Sequence, residues 1–99
     1  MPDLTDTELA LLNLAAALFD GVAHADSGCL PDVQLSCMAA AEDLRHAGAD
    51  PDPLLIDTTE PDTAIRQALH ALSGLPPAVF ARRRILDASY SGQTALRAL

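Results

Sequence analysis

Lysine and tryptophan are both absent from this 99-residue chain. Every cation is therefore a guanidinium, and six of them face fourteen carboxylates, for a net charge of −8. Nucleic acids and anionic membranes are both gripped through a basic footprint, so this balance argues against either as a partner. Valine and isoleucine supply three residues each, and the aromatics are Phe19, Phe80 and Tyr90 alone. Strands draw on those residue types, so their scarcity excludes a sheet-based core. Two cysteines, Cys29 and Cys37, cannot form a disulfide framework. No uninterrupted apolar run approaches the roughly 20 residues needed to cross a bilayer, and Asn13 breaks the best candidate. No basic region precedes that segment and no cleavage site follows it, which argues against a signal peptide. Reduced thiols and the lack of an export signal together point to a cytoplasmic chain. A Gly-rich phosphate loop, a serine-hydrolase elbow and a His-Glu-x-x-His element are all missing.

What the chain does contain is alanine and leucine, 19 and 17 residues respectively. Both are strong helix formers, and a chain of this length makes one domain. The expectation is a single all-α domain over residues 1–99: a four-helix bundle, up-and-down or irregular, with a short C-terminal helical turn. A core of Ala and Leu lets helices approach closely but buries little area per residue. Small domains of this kind gain the missing burial by association, so a homodimer is expected.

The first helix carries its own start signal. Thr5 and Glu8 have the spacing of a capping box, Leu4 and Leu9 that of a hydrophobic staple, and Asp6 and Glu8 suit the helix dipole. Two adjacent apolar rows follow, Leu9-Leu12-Ala16-Phe19-Ala23 and Leu11-Ala15-Leu18-Val22, leaving Asn13, Asp20 and His24 as a polar stripe. An arc that wide predicts neighbours on more than one side and a place at the centre of the core. The spacing predicts a turn at Ala25–Gly28 and a second helix with Pro31 in its first turn and Arg45 and His46 in its last. Its buried face is Val33, Cys37, Ala40, Ala41, Leu44 and Ala47, and Gly48 is its C-terminal cap. A turn-rich linker, Ala49–Pro53, leads to Leu54-Leu55-Ile56, expected to plug one end of the bundle. A third helix opens at Thr59-Glu60-Pro61, buries Ala64 or Ile65 with Ala68, Leu69 and Leu72, and pairs Asp62 with Arg66. Pro76-Pro77 starts a fourth, with Val79, Phe80, Leu86 and Tyr90 on one side, and Ser91-Gly92 breaks it before a last turn.

Charge is split along the chain: residues 1–62 carry −12 and residues 63–99 carry +4. Arg82-Arg83-Arg84 is the most distinctive charged feature. Three consecutive helical residues fan over about 200° of surface, so at least one lies near the packed face. Two roles compete for them. They pair with the acid-rich first and second helices, or they form a partner-binding site, since arginine grips carboxylates in a bidentate way. His24, His46 and His70 each fall near a helix C-terminus, where an imidazolium satisfies the dipole. A metal site would need His24, Cys29 and His70 to meet, and no pair of them has a ligand-like spacing. Cys29 has no neighbouring base to activate it, and the Glu42 and Asp43 side chains diverge on a helix.

These features favour a small acidic adaptor or accessory protein that binds protein, itself included, through Arg82, Arg83 and Arg84. No enzyme activity, cofactor, metal, nucleic acid or membrane is expected. Two other functions stay open. One is a pocket among the first, third and fourth helices, where Arg82–Arg84 and Tyr90 hold an anionic ligand. The other is a weak regulator, because Ala68–Ser73, Gly74-Leu75 and the arginine-bearing helix outline a helix-turn-helix.

Overall fold

The computed structural model describes residues 4–24, 31–51 and 60–99. Among the described residues the chain is helical without strands: α1 is Asp6–Ala23, α2 Pro31–His46, α3 Pro61–Ser73, α4 Pro77–Phe80 and α5 Arg83–Ala98. The all-α helical bundle expected from composition is what forms. No helix is long and apolar enough to cross a membrane among the described residues. The expectations for Ala25–Gly28, Cys29, Leu54-Leu55-Ile56 and Thr59 lie outside the described residues.

Local chemistry sets most helix ends. Thr5 Oγ1 accepts from the Glu8 amide at 3.1 Å and Glu8 Oε1 accepts from the Thr5 amide at 2.9 Å, so the capping box closes in both directions. At the end of α2, Gly48 adopts φ +116°, a left-handed conformation that favours glycine. Its amide donates to the Arg45 carbonyl at 3.0 Å, and the Ala49 amide reaches back to Leu44 at 2.9 Å. That nested pair is a Schellman motif, and it turns Ala49 into the core. Helix α3 begins at Glu60-Pro61, with no side-chain cap bond from Glu60.

The four long helices form a ring, but not in chain order. Helix α1 packs against α2 and α3, and α5 packs against the same two. Helices α2 and α3, consecutive in the chain, therefore lie diagonally across the ring, which departs from the neighbour order of an up-and-down bundle. Phe19, Leu12 and Val22 of α1, Val33, Cys37 and Leu44 of α2, Ile65 and Leu72 of α3 and Ile85 of α5 are fully buried at the centre.

Two features of the C-terminal third differ from expectation. Ser91-Gly92 does not break a helix; α5 runs through it to Ala98. An added Cβ at Gly92 would lie 2.7 Å from Phe19 Cζ and 2.9 Å from Leu69 Cδ2. This glycine is thus a point of close approach between α5 and the Phe19 ring. The interruption falls earlier, at Ala81-Arg82, where Arg82 is extended at φ −62°, ψ 136°. In a continuous helix Val79 and Ile85 would point about 120° apart. The break allows both to be buried. It also rotates the helix that follows. Ile85, Ala88, Ser89, Gly92 and Ala95 turn inward, whereas Leu86 and Tyr90, expected on the packed side, are exposed by 43% and 68%.

Candidate functional site

The three sequence-selected arginines occupy the start of α5. Arg82 is its N-cap and is half-buried. Arg83 is almost wholly solvated and reaches Asp87 on its own helix at 4.0 Å. Arg84 donates to Asp43 Oδ1 of α2 at 3.0 Å, tying the last helix to the second. No acidic residue lies in this first turn, so the dipole is unfavourable to the three cations, and the Asp43 and Asp87 carboxylates offset that in part. The structure therefore spreads the triplet over three settings rather than converging it on one point.

The histidines take the helix-end positions that their spacing implies. His24 caps α1, with Nδ1 3.0 Å from the Asp20 carbonyl. His46 ends α2, 3.8 Å from Glu42, and His70 lies in the last turn of α3. No group of three His, Cys, Asp or Glu side chains that could hold a metal ion occurs among the described residues. Cys37 is fully buried in the face of α2 that meets the core. The Asp62–Arg66 pair expected within α3 does not form; neither residue joins an ion pair among the described residues.

A second cationic position, not singled out by its sequence, is the more built site. Leu11, Leu14 and Leu18 of α1 and Arg66, Gln67, His70, Ala71 and Gly74 of α3 line a groove of about 410 Å³. Its origin lies in what α1 does on its other side. Arg45 of α2 forms an ion pair with Asp20, and the Asp50 amide donates to Asn13 Oδ1 at 2.8 Å. Asn13 and Asp20 of the polar stripe thus face α2 and the chain leaving it, whereas His24 at its end is exposed. Ala10 and Leu14 are exposed on the outward side instead, Leu14 by 43%, while Ala17 one turn on is buried. Arg66 and His70 are one helical turn apart, so both overhang this apolar floor. Their i, i+4 spacing was the available signal, but only the position of α1 makes it a site. None of Arg82, Arg83, Arg84 and Tyr90 lines the groove.

Further exposed apolar side chains stand on α2, where Leu35 is 61% and Met38 43% exposed. No family model matches this chain, nor does any curated protein or solved structure.

Proposed function

We propose that this chain works as a small acidic protein-interaction module, an adaptor or accessory protein that binds protein surfaces, a second copy of itself included. The observation that carries this is the uncharged outer side of α1. With Asn13 and Asp20 engaged toward α2, solvent meets Ala10 and Leu14 beside an apolar groove. Leu35 and Met38 on α2 and Leu86 and Tyr90 on α5 are further exposed apolar side chains. Exposed apolar surface of this kind supports an interaction role for a small domain. A small Ala/Leu core is also consistent with burial completed by a neighbour.

The Arg82–Arg84 triplet takes a subordinate place in this reading. Arg83 is the member most open to a partner's carboxylate, because Asp87 lies at the limit of pairing distance. A regulator is less well supported. The segment after Gly74 is a four-residue helix, and a break separates it from the arginine-bearing α5. An anionic ligand held by Arg82–Arg84 has less support too, since the groove between α1 and α3 has Arg66 at its edge and none of those three arginines.

Sedimentation equilibrium on the full chain tests the proposal. The expected outcome is a mass that rises above 10.4 kDa with concentration. Leu14→Glu should lower that association by about tenfold or more, because it places a charge at the centre of the apolar side. A mass that stays at one chain at every concentration counts against self-association.

A further inference from the structure

Two separate surfaces of the ring have matching length, polarity and complementary charge. The first is a ridge on α2: Leu35 and Met38 project outward one turn apart, and Glu42 follows on the same side. That spacing, i, i+3 and i+7, is how an amphipathic helix presents its anchors to a groove. The second is the groove between α1 and α3. Leu35 to Glu42 and Leu11 to Leu18 are both seven-residue spans, about 10 Å of helix rise each. The groove floor is leucine and alanine, which suits Leu35 and Met38.

Charge completes the match. Arg66 at the groove edge has no ion pair among the described residues, in a chain of net charge −8. Among the described residues the Glu42 carboxylate pairs with His46 alone, at 3.8 Å, and that imidazole is cationic only when protonated. An acidic ridge end and an uncompensated guanidinium are thus present on the same molecule but on different helices.

We infer that the α2 ridge of one copy seats in the α1–α3 groove of another, with Leu35 and Met38 on the leucine floor and Glu42 against Arg66. The inference rests on the self-association proposed above and makes it specific. The ridge is on α2 and the groove on α1 and α3, so the two are separate surfaces with no residue in common. The contact is therefore heterologous: a first pairing leaves one ridge and one groove unused, and association continues beyond two copies.

Complementation between two full-length variants tests this. One lacks the ridge (Leu35→Glu with Met38→Glu) and the other lacks the groove (Leu14→Glu). These side chains are all solvent-exposed, so each variant is expected to fold, as checked by its helical circular dichroism. Sedimentation should show each alone as a single chain, and their equimolar mixture as a 1:1 pair with nothing larger. As a second route, Glu42→Arg and Arg66→Glu should each weaken wild-type association about tenfold, and their combination should restore it. If the wild type associates but the ridge variant associates equally well, the seating is overturned while self-association stands. A wild type that never exceeds one chain overturns both. Saturable binding of sodium decanoate, lost in Arg66→Ala, by a chain that never associates would assign the groove to a small amphiphilic carboxylate instead.

Discussion

Along its seam with α2, helix α1 is held by directional polar bonds: Arg45 to Asp20, and the Asp50 amide to Asn13. Along its seam with α3 it contributes leucines to an open groove, with a cation at the edge that has no described carboxylate partner. One helix thus has a sealed side and an unsealed one. The difference shows how a polar stripe need not be a solvent stripe. When its few polar groups find partners on a neighbouring helix, the apolar arc is rotated outward and surface is left for association.

The comparison can be broken most severely from the far side of the bundle. Gly92→Ala would press a methyl group against the fully buried Phe19 ring and Leu69, so one of these side chains must shift. Overpacking of this kind costs about 1–3 kcal/mol, offset in part by roughly 1 kcal/mol of improved helix propensity. Urea denaturation should therefore show a net loss of up to about 2 kcal/mol, and the mutation should loosen both seams because Phe19 lies between them. Asn13→Ala attacks the sealed seam alone. It removes the acceptor for the Asp50 amide, and the same denaturation should report a loss of about 0.5–1.5 kcal/mol. Leu14→Ser acts on the unsealed seam and should change stability by less than about 0.5 kcal/mol, because the residue is well exposed. Its effect belongs to association: a weaker tendency to assemble at unchanged urea midpoint. Should Leu14→Ser instead lower the midpoint as much as Asn13→Ala does, the two sides of α1 would not differ in the way described.

Features closed within one or two helical turns were legible in the sequence. The Thr5–Glu8 box, the Gly48 turn, the buried face of α2 and the histidines at helix ends all depend on residues within a few positions of one another. Misplacement began where the reason was distant. Gly92 resembles a helix breaker until Phe19, far back in the chain, is found against it. Leu86 and Tyr90 look inward if α4 and α5 are read as one helix. They turn outward because burying both Val79 and Ile85 requires an interruption at Ala81-Arg82. Arg66 was read as an intrahelical partner of Asp62, and its place beside Leu11, Leu14 and Leu18 depends on which face α1 offers to α3.

By itself, the amino-acid order determined that this chain is helical, where its first two helices start or stop, and most of the buried residues of α2 and α3, though Ala47 and Leu69 are only partly buried and Ala71 is buried in addition. Those outcomes follow from backbone hydrogen bonding, capping and the period of the apolar residues, all of which act over a few positions. Only the tertiary structure decided the order of helices in the ring, the rotation of α5 and the outward leucine of α1. Each of these depends on whether a polar group or a bulky ring elsewhere in the chain is within reach, and that distance exists only once the helices have packed.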